Sequence, residues 1–137
     1  MKVTSFGEVL WDDFPSGKVL GGAPLNVLVR LQSFGVDTAI ISRRGDDADG
    51  EELLRQIQAK NVNTDLLQVC KECDTSLVKV ILDKCGSASY EIVYPCAWDR
   101  IVIEDAALQR VAESDAFVFG SLATRDEISR AVLDKLM

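Results

Sequence analysis

The sequence contains no histidine among its 137 residues. Any zinc site would therefore have to be built from cysteine and carboxylate ligands. Cys70 and Cys73 have the Cys-x-x-Cys spacing of a zinc knuckle, but Cys85 and Cys96 form no second pair of this kind. We therefore expect free thiols in a reducing compartment and no metal ion, with a zinc site as the less favoured alternative.

Long apolar runs are also missing. The longest apolar stretches, residues 77–82 and 116–120, are far shorter than the roughly 20 residues that cross a bilayer. The first residues, Met1-Lys2-Val3, do not lead into the charged, apolar and small-residue regions of a secretory signal. These absences predict a cytoplasmic protein without a membrane span.

Positive charge is scarce, and the formal net charge is -7. An acidic surface repels polyphosphate, so binding to nucleic acid would require a local basic patch. The single candidate, Arg43-Arg44, is followed closely by Asp46, Asp47 and Asp49. We therefore expect no nucleic-acid partner.

The chain does have enough apolar residues for a packed core, since 47% of them are hydrophobic and 27% are charged. Residues 2–6 are predicted to form a strand and residues 18–22 a second short strand, with turn signals over residues 12–17 between them. From Pro24 onward, apolar residues recur at helical spacing, and Gly35 suits a helix C-terminus. This pattern predicts a helix over residues 24–34.

The rest of the chain alternates between predicted strands and helices, as in a doubly wound α/β domain. One interruption occurs, where two strand-like runs are joined by a short turn and so predict a hairpin. The predicted fold is therefore a parallel sheet with an antiparallel insertion. The predicted elements are a strand at 37–43, a helix at 47–61, the hairpin strands at 75–83 and 88–95, a helix at 104–114, a strand at 115–121 and a helix at 125–137.

Acidic residues and glycines collect after the first predicted strand. Asp12 and Asp13 follow that strand, and Gly21-Gly22 precede a helix N-terminus with free N–H groups. Asn26, in the first helical turn, offers both a donor and an acceptor. Because ligands of open α/β sheets bind beyond the carboxyl ends of the strands, these residues are suitable for gripping neighbouring hydroxyl groups of a polyol.

Each of these residues also has a purely structural explanation. Asp12 and Asp13 can be turn formers, the diglycine can be a strand exit, and Asn26 can be a local helix cap. The pattern alone leaves both interpretations open.

The residues resemble those of a known family. The stretch "GGAPLNVLVRLQSFGVDTAIISRRGDDADG" is similar to the N-terminal signature of the ribokinase-like (PfkB-type) carbohydrate kinases. "GEVLWDDFP" followed by "GGAPLN" resembles fructokinases most of all. The similarity continues through "LLRQIQAKNVNTDLL", "TSLVKVILD" and "SDAFVFGSLATR", so it covers essentially the whole chain in the expected order.

The resemblance implies a ribokinase-like doubly wound parallel sheet, truncated here, with an antiparallel β lid. The lid segments would be about residues 11–22 and 75–96. Lids of this family close over the sugar, so Tyr90 and Ile92 are candidates for covering it, although the sequence does not tell which lid residues face inward. Such lids commonly pair between subunits, which implies a homodimer.

The resemblance also implies ATP-dependent phosphorylation of a sugar hydroxyl. Asp12 would bind sugar hydroxyls, Gly21 and Gly22 would let the backbone close on the sugar, and Asn26 would add a side-chain contact. Ser121, just after a predicted core strand, is a weaker candidate on the nucleotide or sugar side.

Members of this family are longer, and their C-terminal half carries a Gly-Ala-Gly-Asp motif with the general base and an anion hole. No such motif occurs in these residues, where the single Gly-Asp is Gly45-Asp46. The resemblance therefore implies that residues 1–137 are the N-terminal part of a sugar kinase domain. ATP and Mg²⁺ are expected for the full-length protein and not for this chain alone, which we expect to be inactive and prone to self-association.

Two alternatives stay open at this point. The acceptor can be another sugar or sugar-like molecule, namely ribose, a nucleoside or 2-keto-3-deoxygluconate, because a few pocket residues decide among them. Alternatively, the chain can be a non-catalytic module that binds sugar or mediates oligomerisation.

Overall fold

The computed structural model describes residues 1–137 and contains eight strands in two sheets, with four α-helices. The strands are β1 (Lys2–Phe6), β2 (Leu10–Phe14), β3 (Gly17–Gly21), β4 (Asp37–Gly45), β5 (Leu67–Cys70), β6 (Leu77–Leu82), β7 (Ala88–Ile92) and β8 (Ala116–Phe119). The helices are α1 (Ala23–Gln32), α2 (Ala48–Ala59), α3 (Asp105–Ala112) and α4 (Glu127–Leu136), with 3₁₀ turns at Ala97–Arg100 and Ser121–Thr124.

The first sheet is parallel and has the strand order β5-β4-β1-β8. Alternate residues of its central strands face opposite layers. Val3 and Ile40 pack with apolar residues of α1 and α2, whereas Phe6 and Ile41 pack with residues of α3 and α4. The predicted doubly wound α/β fold is therefore confirmed. None of the helices is both long and apolar enough to cross a bilayer.

The second sheet, which we call the lid sheet, has the order β3-β2-β6-β7. It consists of two antiparallel hairpins, β2–β3 and β6–β7, joined by parallel pairing of β2 with β6. The inserted strands thus form a mixed sheet. Its two hairpins come from the two separate stretches of chain that the sequence predicted as lid segments.

The predicted turn over residues 12–17 is wrong for Asp12 and Asp13, which lie inside β2. Only Pro15 and Ser16 form the turn of this hairpin. β2 pairs with a strand on each side, and this pairing overrides the turn propensity of its two aspartates. β5 was missed because a four-residue strand is too short to display a period.

Asp47 joins the parallel sheet to the start of the lid sheet. It caps α2 by accepting from the Gly50 N–H at 2.7 Å, and it accepts from the backbone N–H and Oγ1 of Thr75 at 2.8 and 2.7 Å. Burial acts to raise the pKa of Asp47, but these hydrogen bonds outweigh it and the pKa is lowered. The segment entering β6 is therefore held against the α2 N-terminus.

A second connection fixes the segment that leaves β7. Asp99 is fully buried and accepts from Nε and Nη2 of Arg125 at 2.7 Å each, and from the Cys96 N–H at 2.9 Å. The Arg125 guanidinium lies 4.2 Å from the ring centroid of Trp98. A bidentate ion pair and a cation–π contact thus tie the lid sheet to the segment before α4.

The four cysteines are free thiols with different environments. Cys70 and Cys96 are buried, Cys73 is half-buried and Cys85 is exposed in the β6–β7 turn. Burial, together with the neighbouring Asp99 charge, raises the pKa of Cys96 to about 12. No group of three or more cysteine or carboxylate side chains is arranged to hold a metal ion.

We expect Asp47→Ala to lower the free energy of unfolding by about 2 kcal/mol at pH 7, because a helix cap and two further hydrogen bonds are lost. Since the pKa of Asp47 is lowered from 3.8, its contribution is fully present above that value and is lost as the pH falls through the folded-state pKa. Urea unfolding followed by circular dichroism at several pH values measures both effects.

Asp49→Ala is the matched control for this change. The Asp49 carboxylate pairs with an exposed lysine, Lys18, so we expect a change of at most about 0.5 kcal/mol. Equal effects of the two substitutions, or a difference that does not shrink in acid, would contradict the role given to Asp47.

The thiol environments predict the order of modification by a disulfide reagent such as Ellman's reagent. Cys85 should react first because it is exposed, and Cys96 last because it is buried and its raised pKa leaves almost no thiolate. The fast phase should disappear in Cys85→Ser. A fast phase that persists in this variant would show that another thiol is accessible.

Candidate functional site

Asp12 is the central residue of β2 and faces the backbone of the neighbouring strand. A Cβ atom added to Gly21 would overlap Asp12 Oδ2 and lie 3.2 Å from Asp12 Cγ. Desolvation is the only cause of the raised pKa of Asp12, and no protein charge or donor offsets it. The carboxylate is therefore half-buried, close to the diglycine and free to accept hydrogen bonds from a ligand.

The diglycine leads directly into α1. Gly22 is the N-cap residue and has φ 116°, a value that side-chain-bearing residues rarely adopt. Its carbonyl accepts from the Asn26 N–H at 2.9 Å, and the Asn26 side chain is exposed. The structure thus brings Asp12, Gly21 and Gly22 together and places Asn26 on the adjoining first turn of α1.

Strand register decides which lid residues share a face with Asp12. Asp12 pairs with Val78, and Val78 pairs with Ile92, so these three side chains lie on one face of the lid sheet. Tyr90, two residues from Ile92, is on the same face. Ile92 is half-buried against the core, whereas Tyr90 is 60% exposed and so available to a ligand.

The opposite face of the lid sheet packs Trp11, Leu20 and Leu77 against the core and carries a row of charged residues beside them. Asp13 pairs with Lys18 on β3 and with Lys79 on β6, and Lys79 pairs with Glu91 on β7. Charges of alternating sign therefore cross all four strands. Such cross-strand pairs favour this register, which keeps Asp12 on the other face.

The remaining candidate, Ser121, is exposed and begins the 3₁₀ turn that follows β8. It lies at the carboxyl end of the parallel sheet, as ligand-binding residues of such sheets do. No contact in the structure connects it to the diglycine.

Glu8 was missed by sequence reasoning. It follows β1, is only 4% exposed, and its Oε1 accepts from the Ala23 N–H at 3.2 Å. Burial raises the pKa of Glu8, and its Oε2 has no hydrogen-bond partner. A carboxylate two residues after the first predicted strand was the signal that could have identified it.

The site lies between the β2–β3 hairpin and the first turn of α1. Five cavities with volumes of about 230 to 600 Å³ lie elsewhere on the chain, and none is lined by Asp12, Gly21 or Asn26. One cavity of about 520 Å³ is lined by Asp13 and neighbouring residues of the lid sheet, and another of about 520 Å³ is lined by Asp47, Thr75 and neighbouring residues at the base of that sheet.

Comparison with known proteins identifies the family of the chain. Residues 7–136 match the family described as pfkB family carbohydrate kinase. The chain is 31% identical over 117 residues to a protein of Pyrococcus horikoshii named as a sugar kinase, covering 85% of this chain and 37% of that protein. It is 30% identical over 142 residues to fructokinase-2 of Zea mays, covering 94% of this chain and 42% of that protein.

Solved structures give the same result. The uncharacterized sugar kinase of P. horikoshii in complex with ATP superposes with a TM-score of 0.87 at 29% identity, covering 98% of this chain and 48% of that one. The fructokinase of Halothermothrix orenii superposes with a TM-score of 0.86 at 26% identity, covering 99% of this chain and 52% of that one. The chain spans about half the length of these proteins or less. Because the family match extends over nearly all of its residues, the chain belongs to the pfkB family of carbohydrate kinases.

Proposed function

We propose that this chain supplies the sugar-binding part of an ATP-dependent kinase whose acceptor is fructose. The observation that carries the proposal is the Asp12 carboxylate, which faces the Gly21 backbone without a partner from the protein. The fructokinases among the relatives and the ATP complex of a structural neighbour support the choice of acceptor and phosphoryl donor.

The proposed role of Asp12 is to accept hydrogen bonds from two neighbouring sugar hydroxyls, because an ionised carboxylate has acceptor sites on both oxygens. Gly21 and Gly22 let the sugar approach the backbone, and Asn26 adds an amide contact. Phosphoryl transfer depends chiefly on positioning and electrostatics, so a sugar held at a fixed orientation is this chain's contribution to the rate.

The lid sheet would close over the bound sugar. Tyr90 lies on the same face as Asp12 and is exposed, so it can cover the sugar and exclude water from the transfer. Ile92, on the same face, packs against the core and would hold this end of β7 in place. The general base and the residues that bind ATP and Mg²⁺ are assigned to a further part of the protein, outside these 137 residues.

We also propose that the lid sheet pairs with that of a second copy. Its outer strands, β3 and β7, each have one unpaired edge. Three apolar side chains of the hairpins are about half exposed, namely Val19, Ile81 and Leu82. Such surfaces promote association between copies of a chain.

The four free thiols suit a reducing cytoplasm.

Asp12→Ala should weaken fructose binding by about 10-fold to 100-fold, because hydrogen bonds to a charged group are lost. Isothermal titration calorimetry with fructose measures this. Asp13→Ala is the matched control, since Asp13 is the adjacent residue of the same strand on the opposite face. The fructose affinity of this variant should stay within about twofold of that of the unsubstituted chain.

Equal affinities of the two aspartate variants would contradict the proposed site. Titrations with ribose, a nucleoside and 2-keto-3-deoxygluconate distinguish the acceptors, and tighter binding of one of these would replace fructose. If no sugar binds, the chain is an oligomerisation module without a sugar site.

Replacing both Ile81 and Leu82 with lysine should weaken self-association by about tenfold or more, because charge would be placed in the proposed apolar contact. Sedimentation equilibrium measures the association constant. Phe34→Lys is the control, as Phe34 is 69% exposed but lies after α1 and outside the lid sheet. An unchanged association constant in the lid variant would show that the lid sheet is not the interface.

A further inference from the structure

Glu8 is a buried carboxylate with no charged partner. Its side chain is 4% exposed, and no salt bridge in the chain includes it. Its Oε1 has one donor, the Ala23 N–H at 3.2 Å, and its Oε2 has none. Burial without a compensating charge is costly, and most such groups are paired. The position of Glu8 therefore calls for a function that offsets this cost.

The first contact of Glu8 is with the start of α1. Helix α1 begins at Gly22 with no side-chain cap, and its first turn has no acidic residue. Pro24, near the start of the helix, has no N–H group. The Glu8 carboxylate therefore takes the place of the missing cap, at the positive end of the helix dipole, from the loop between β1 and β2.

The second contact is with the diglycine itself. A Cβ atom on Gly22 would overlap the Glu8 carbonyl oxygen and lie 3.1 Å from the Glu8 carbonyl carbon. The backbone of Gly22 is thus fixed from one side by the Glu8 main chain, and the next N–H, that of Ala23, is held by the Glu8 side chain. No side chain of α1 is needed for this.

The third contact is with the end of β8. A Cβ atom on Gly120 would lie 3.0 Å from Glu8 Oε2 and 3.1 Å from Cγ of Pro24. Glu8 is therefore wedged between the first turn of α1 and the residue that follows β8. The missing side chain of Gly120 thus leaves the space in which the carboxylate lies, beside Pro24.

We propose that Glu8 is a positioning residue, which holds the Gly21-Gly22 backbone in its sugar-binding position by capping α1 through Ala23 and bracing against Gly120. The inference rests on the proposed sugar-binding function. Glu8 does not touch the sugar, because its carboxylate is buried. Burial raises the pKa of Glu8, and hydrogen bonds from backbone N–H groups, including that of Ala23, offset this only in part.

The test compares Glu8→Ala with Glu8→Gln at a temperature where both variants are folded. Glu8→Ala removes the acceptor, so its fructose dissociation constant should rise about threefold to tenfold, as for loss of a helix cap. Glu8→Gln retains an oxygen acceptor for the Ala23 N–H and should recover most of this loss. A role in stability alone would lower the melting temperature of Glu8→Ala without changing its affinity.

Amide hydrogen exchange provides a readout that needs no sugar. Exchange of the Ala23 amide should be about tenfold faster in Glu8→Ala and near the original rate in Glu8→Gln. The Gly50 amide, which Asp47 caps at the start of α2, is the internal control and should not change. An unchanged Ala23 rate in Glu8→Ala would overturn the proposed hold on α1.

The outcomes separate this inference from the proposed function. Faster Ala23 exchange with unchanged fructose affinity would leave Glu8 as a helix cap and overturn its sugar-positioning role. If the unsubstituted chain binds no sugar, the proposed function fails, and the positioning role fails with it even if Ala23 exchange still reports the cap.

Gly120→Ala provides a second variant if Glu8→Ala does not fold. Its Cβ atom would press on Glu8 Oε2 and Pro24, so fructose affinity should fall by about threefold. The effect should be smaller in a Glu8→Ala background, where the contact with Oε2 is gone. Equal effects in both backgrounds would contradict the bracing contact between Glu8 and Gly120.

Discussion

The site depends on the absence of side chains at Gly21 and Gly22. The space that a Cβ atom at Gly21 would need is filled by the Asp12 carboxylate, and the space at Gly22 is filled by the Glu8 carbonyl. The diglycine can therefore lie directly against β2 and the end of β1. Alanine at either position would have to displace a carboxylate or a main-chain segment.

Two polar connections hold the lid sheet on the parallel sheet. One is the Asp47 carboxylate, which accepts hydrogen bonds from Gly50 and Thr75. The other is the ion pair of Asp99 with Arg125. Asp99 of the second connection is fully buried whereas Arg125 is partly exposed, so removing Arg125 would leave an uncompensated buried charge. Both connections lie where the chain enters or leaves β6 and β7. Beyond them, the β6–β7 turn and most of β7 are exposed, whereas Val78 and Val80 of β6 are buried.

Much of the fold could be predicted because its elements are long and periodic. The helical spacing after Pro24 and the apolar run from Thr38 to Ser42 identified α1 and β4. The family resemblance supplied the lid and the candidate residues Asp12, Gly21, Gly22 and Asn26. Their sugar-binding role stays a prediction, and the structure adds that three of them are adjacent.

What the sequence alone determined was the order of strands and helices apart from β2 and β5, the family and the residue types at the candidate site. These follow from local periodicity and from matching stretches of chain. Tertiary structure decided that Asp12 lies in a strand, that Tyr90 shares its face, and that the Glu8 carboxylate caps α1. Each of these depends on contacts between segments far apart in the chain. Local propensity carries no information about such contacts, because pairing and burial are fixed only when the segments meet.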